Sequence, residues 1–159
     1  MKVQGHMSGS DLHLCHTKCV QAPLVEDSFV DARPRSCFLL DAGTFTSYLT
    51  GVKTWLDANP NEVVTLLLVN SDGILPSVWA ASYVAAGIDT YAYTPTNVPI
   101  AYDAWPTLQS MITSGKRLVS FLAQNADISS APYLIDEFTN IWETPYDVRP
   151  LLGARISVS

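Results

Sequence analysis

The segment Glu62-Val63-Val64-Thr65-Leu66-Leu67-Leu68-Val69-Asn70 constrains this chain more than any other. It is apolar almost without interruption and rich in β-branched residues, the pattern of a strand buried on both faces. Such strands belong to parallel sheets with cover on either side, so a fold built from strand and helix units is expected. The run from Val63 to Val69 covers seven residues. That is far short of the ~20 that cross a bilayer, and no transmembrane segment is predicted.

The flanking segments carry the same message. Phe45, Tyr48, Leu49, Val52, Trp55 and Leu56 recur at helical spacing and Asn59-Pro60 supplies a stop, which predicts a helix from Thr44 to Ala58. Ser71-Asp72-Gly73 reads as a turn, and Pro76 opens a second helix that ends at Gly87, with Val78, Trp79 and Tyr83 inward. Pro106 then starts a helix with Leu108, Met111 and Ile112 on its apolar face, closed by Gly115 before the buried strand Arg117 to Leu122. Pro132 to Phe138 reads as a further helix, and Trp55 and Trp79 as core residues on helical apolar faces.

Strands alternating with helices through short turns imply a parallel sheet with helical cover, either open or closed into a barrel. The glycine-rich dinucleotide fingerprint and the Walker-type phosphate loop are both missing, which counts against a nucleotide-binding fold. A closed barrel takes eight such units and roughly 250 residues. This chain has 159 residues, enough for about four units. A barrel built from it would be incomplete.

Apolar residues make up 48% and charged residues 15%, the balance of one soluble domain's core. Nine Lys plus Arg against fifteen Asp plus Glu give a net charge of -6 with no basic cluster, which argues against a nucleic-acid partner. The start, Met1-Lys2-Val3-Gln4-Gly5-His6, has no long apolar core of a secretory signal and reads as a strand already under way. The chain is therefore expected to begin in mid-fold.

His16 stands where the short apolar strand in Leu12-His13-Leu14-Cys15-His16-Thr17 runs out into a polar turn. An imidazole at a strand end is a candidate general acid or base, although a packed and hydrogen-bonded histidine fits the same position. Cys15, His16, Cys19 and Cys37 also form a nominal zinc set. Their spacing has no Cys-x-x-Cys knuckle, and Cys15 and His16, adjacent on a strand, should point to opposite faces.

Several long segments, in order, resemble one family. They are Leu12 to Thr17, Leu39-Leu40-Asp41-Ala42-Gly43-Thr44, Val52 to Val64 (Val-Lys-Thr-Trp-Leu-Asp-Ala-Asn-Pro-Asn-Glu-Val-Val), Trp105-Pro106-Thr107-Leu108 with Ser114-Gly115-Lys116-Arg117, and Asp136 to Pro145. Together they look like fungal PLC-like phosphodiesterases, relatives of the X domain of phosphatidylinositol-specific phospholipase C. The resemblance implies an α/β fold of the TIM-type barrel, of which this chain supplies about half, and phosphoric diester hydrolase chemistry in lipid metabolism. It also implies a phospholipid or other phosphodiester substrate, peripheral contact with a membrane, and secretion of the full-length relatives.

Phosphodiester cleavage by an internal hydroxyl needs one proton removed, one delivered, and positive charge near the phosphate. The family divides the proton work between two histidines, and His16 matches the one that protonates the leaving oxygen. Its partner belongs to a Gly-Ala-His-Asn-like segment absent from this sequence, and His6 follows a different strand. Gln4 or Val3 stands where relatives carry acidic metal ligands or an arginine, so no cofactor is expected and a calcium requirement is doubtful. Asn70 and Asp72 are the polar residues nearest the next strand end, as substrate contacts or as plain turn residues. Trp142 is a candidate for the substrate mouth, with core packing as its other reading.

The resemblance runs through residues 3 to 148, giving a partial barrel domain over 1–148 and a non-family tail over 149–159. Residues 18–36 have neither helical nor strand periodicity and read as a retained intron or a lineage-specific loop. Relatives pair two cysteines near the histidine turn, which matches Cys15 with Cys19 or Cys37. The alternative to an enzyme is a catalytically inactive, truncated family member whose motifs survive because they build the core.

Overall fold

Strands and helices follow one another as the periodicity predicts, in a computed structural model that describes residues 2–15 and 41–142. The order is β1 (Lys2–Ser8), β2 (Asp11–Cys15), β3 (Asp41–Thr44), α1 (Phe45–Ala58), β4 (Val64–Val69), α2 (Pro76–Ala86), α3 (Leu108–Ser114), β5 (Leu118–Leu122), β6 (Leu134–Asp136) and α4 (Glu137–Asn140). Thr44 starts α1 by accepting a hydrogen bond from the Ser47 amide at 3.2 Å. Asn59 ends it, its side-chain amide donating to the Trp55 carbonyl at 2.8 Å, and Pro60 cannot continue the helix. Pro76 opens α2 and Gly87 closes it at φ 64°, a left-handed conformation that costs glycine nothing.

The strands form one six-stranded sheet in the order β3-β2-β1-β4-β5-β6. β1, β4, β5 and β6 pair in parallel, as the continuous apolar runs require. β2 pairs antiparallel with both β1 and β3, so a hairpin through Gly9 widens the sheet on one side. Among the described residues the sheet does not close on itself, and β3 and β6 are its outermost strands.

β4 is covered on both faces. Leu66 and Leu68 pack under α1 and α2 with Phe45, Leu49, Trp79 and Tyr83, whereas Leu67 packs on the opposite face beside Val119, Phe121, Ile135 and Met111. Each such apolar side chain contributes roughly 1.5–3 kcal/mol on burial. Gly5 permits the closest approach in the first cluster, since a Cβ there would run into the Trp79 ring.

Four expectations need correction. Pro132 to Phe138 is not a helix: Leu134 and Ile135 are both fully buried but on opposite faces, and this two-residue alternation makes them strand β6. Trp55 is 46% exposed, because the inward stripe of α1 runs through Phe45, Leu49 and Leu56 and leaves Trp55 on its shoulder. There it lines an apolar groove of about 450 Å³ with Tyr48, Val52 and Val64. Leu108 is 66% exposed as the first residue of α3, where only Met111 is buried. Pro106 precedes that helix, whose cap is Thr107.

The amino end of the parallel strands is fastened by Arg117. Its guanidinium donates to the carbonyls of Asn59 at 2.8 Å, Glu62 at 3.3 Å and Leu56 at 3.0 Å, tying the last turn of α1 and the loop after it to the start of β5. It also lies 5.6 Å from the centre of the Tyr91 ring. The Tyr91 hydroxyl in turn donates to Asp57, which Lys53 contacts at 2.8 Å.

Candidate functional site

Parallel α/β sheets carry their chemistry at the carboxyl ends of the strands, where loops vary without disturbing the ladder. Here the β1–β4 pairing stops at Gln4 opposite Val69. His6 therefore stands two residues past the end of β4, level with the turn that follows it. Gln4, His6 and Ser8 share one face of β1, while Val3, Gly5 and Met7 face the helices.

The turn after β4 is built around Asn70, which is fully buried. Its amide donates to the Ile74 carbonyl at 2.8 Å and the Gln124 carbonyl at 3.0 Å, and its oxygen accepts from the Ile74 amide at 2.8 Å. Every bond is to backbone, so Asn70 closes the turn on itself and ties it to the end of β5. Asn125, exposed and at φ 59°, follows in that second loop.

This clasp presents Asp72 to His6. The Asp72 carboxylate lies 2.6 Å from His6 Nδ1, a bond between residues 66 positions apart in the chain. The side chains keep 9% and 27% of their surface respectively, so the pair is sheltered yet reachable. With Nδ1 donating to the carboxylate, Nε2 is the nitrogen left to accept a proton. His13 is the residue opposite His6 across the hairpin, on the same face of the sheet.

Two other carboxylates of this end, Asp136 and Asp127, are engaged locally. Asp136 accepts from the Thr139 amide at 2.8 Å and caps α4. Asp127 accepts from the Ser129 amide and from the Ser129 and Ser130 hydroxyls, which hold its carboxyl below the usual range. Among the described residues no His, Cys, Asp and Glu cluster could hold a metal ion.

His16 lies outside the described residues, as do Cys19, Cys37, the segment 18–36 and the tail 149–159, so the nominal zinc set has no described geometry. The backbone of Cys15 pairs with Gln4, which places the end of β2 level with the end of β4 on the other side of β1. Asn70 and Asp72 are brought to one turn in different roles. Trp142, just beyond α4, is 84% exposed and does not pack into the core. A groove of about 370 Å³ lies between β2 and α2, lined by Asp11, Thr44, Thr46 and Ser82, and neither His6 nor Asp72 lines it.

His6, set aside in the sequence because it follows a different strand from the family's other histidine, is the described histidine that the structure brings against a carboxylate. The signal was present in the alternation of Val3, Gly5 and Met7 with Gln4, His6 and Ser8, which puts a histidine on the polar face of a half-buried strand. Nothing in the spacing shows that Asp72 returns to meet it.

Comparison with known proteins gives consistent findings. The family model described as PI-PLC X 1 matches residues 25–151, beginning inside the segment 18–36. An "Uncharacterized secreted protein" of Arthroderma benhamiae is 39% identical over 146 residues, covering 92% of this chain and 29% of that protein. A "PI-PLC X domain-containing protein 1" of the same fungus is 48% identical over 112 residues, covering 70% of this chain and 36% of that protein. The chain thus spans about a third of the length of the curated relatives it matches. No solved structure matches.

Proposed function

Because the chain belongs to the PI-PLC X domain family, we propose that it hydrolyses a phosphoric diester, an inositol phospholipid or a related substrate, with His16 as general acid. The observation that carries this reading is the family match over residues 25–151 of a chain whose titratable side chains meet at the carboxyl end of a parallel sheet. In this reading the strands are part of a TIM-type barrel, of which the chain contributes about half. Asn70 and Asp72 shape the substrate mouth, and the exposed Trp142 offers an aromatic face to the lipid headgroup.

A lipid substrate would be met at a membrane surface by peripheral contact. No helix among the described residues is long and apolar enough to cross a membrane. Secretion is supported by the relative whose name describes it as secreted.

Hydrolysis of a phosphatidylinositol analogue, compared with His16→Ala, tests the reading. General acid catalysis contributes roughly 10²- to 10⁴-fold, so the variant should lose at least the lower figure. Equal background rates in both proteins would instead support a catalytically silent family member.

A further inference from the structure

We propose that α1 is a self-association surface, on which the same helix of a second copy of this chain docks antiparallel about a two-fold axis passing beside Gly51.

Gly51 is exposed in the middle of α1, and a Cβ built there would meet nothing beyond its own helix backbone within 4 Å. Glycine is the poorest helix former after proline, so a glycine in a helix interior that no neighbouring atom of its own chain requires points to a close approach from outside. Ser47 stands one turn before it and Trp55 one turn after it. The three form one stripe at four-residue spacing, and all three line the apolar groove of about 450 Å³. Trp55 is 46% exposed and rises at one end of the stripe, while the small side chains of Ser47 and Gly51 leave the other end low. Antiparallel pairing centred on Gly51 sets each Trp55 over Ser47 of the other copy and lets the backbones approach at the glycines, the crossing that interlocking four-residue ridges favour.

Charge favours a second copy as the occupant. No charged residue occurs from Ala42 to Val52. Lys53 and Asp57, bonded to each other at 2.8 Å, lie about 160° and 120° round the helix from Gly51. Two chains that each carry a net charge of -6 therefore meet here without setting like charges against one another. An anionic membrane finds no cationic residue on this stripe to hold it. Thr50 and Thr54, which flank the stripe, donate their hydroxyls to the Thr46 and Thr50 carbonyls at 2.9 Å, so docking leaves neither hydroxyl without an acceptor. The 14 residues of α1 make a helix about 21 Å long, and one such pair buries an area at the low end of specific interfaces, so the dimer dissociates on dilution.

The test is sedimentation velocity of the chain from roughly 1 to 100 μM, beside Gly51→Glu, Trp55→Ala and Gly51→Ala. The unmodified chain should pass from monomer to dimer across that range. Gly51→Glu sets two carboxylates across the axis and should weaken association roughly tenfold or more, with Trp55→Ala acting in the same sense. Gly51→Ala should weaken it less while raising the Tm of the dilute monomer, because alanine favours the helix and meets no obstacle there. A more stable monomer that pairs less well is a result that a glycine of purely internal role would not give. A chain that stays monomeric throughout overturns the proposal. Association that persists unchanged in Gly51→Glu also overturns it and moves the contact to another surface, such as an edge strand. Monomers that instead sediment with phosphatidylcholine vesicles, and lose that property in Trp55→Ala, overturn it in favour of a lipid occupant.

Discussion

Both ends of the parallel sheet carry polar side chains, and they use them differently. At the amino end, Arg117 directs its guanidinium onto the Leu56, Asn59 and Glu62 carbonyls, so its charge is spent on holding the end of α1 and the following loop against β5. At the carboxyl end, Asn70 performs the same service for the turn after β4, but Asp72 reaches a second titratable side chain, His6. A side chain bonded to backbone carbonyls fixes the fold and has nothing left to exchange. A histidine bonded to a carboxylate keeps a nitrogen for chemistry. The contrast sets an end fastened to backbone against an end that keeps a pair of titratable side chains.

The largest expected effect in stability comes from the residue that serves both roles. Asn70→Ala removes three buried hydrogen bonds and orphans backbone groups of Ile74 and Gln124, a loss of about 3 kcal/mol in urea denaturation. Turnover per folded molecule should fall as well, because the turn that aims Asp72 is released. Arg117→Met should cost about 2 kcal/mol through the same kind of loss, with turnover per folded molecule unchanged. Equal drops in turnover for the two variants at matched folded fractions would erase the distinction between the ends.

Much of this distinction was hidden from the sequence for a physical reason. Local signals were legible: Thr44 and Gly87 mark helix ends, and the unbroken run through β4 announces a strand covered on both faces. Signals shorter than one helical turn were not. Leu134 to Asp136 is too short for a periodicity to separate strand from helix, and Pro132 before it imitates a helix start. Trp55 is one residue off the buried stripe of α1, a difference of about 100° that hydrophobicity alone does not register. The site was harder still. Asp72 reads as a turn residue, His6 as a strand residue, and the bond between them exists only because β1 pairs with β4 across the intervening helix and hairpin.

Between the two ends lies a polar contact that belongs to neither. The Tyr83 hydroxyl donates to Ser120 Oγ at 2.7 Å beneath α2, and burial pushes the phenol far above its usual range. Tyr83→Phe should cost about 1 kcal/mol of stability and leave the rate per folded molecule untouched. A clear change in rate would show that the helix-facing side of β5 reaches the site and that function is not confined to the carboxyl end.

The smallest effect is expected at the exposed cluster beyond Arg117, and it sharpens the comparison through pH. Asp57 is held below the usual carboxylate range by the hydrogen bond from Lys53 and then by that from Tyr91, while the bond to Asp57 raises both Lys53 and Tyr91. A lowered carboxylate contributes stability above its unfolded value and loses it as pH falls through the folded one. A raised ammonium and a raised phenol contribute below their unfolded values and lose it as pH climbs through the folded ones. Asp57→Asn should therefore lower Tm slightly across the neutral window, with the gap to the unmodified chain closing toward both acid and alkaline extremes. Solvent and salt screen so exposed a cluster, so the gap should shrink further on adding salt. Hydrolysis should follow the unmodified chain throughout, because this cluster lies at the end of the sheet opposite the turn after β4 that the proposed function uses.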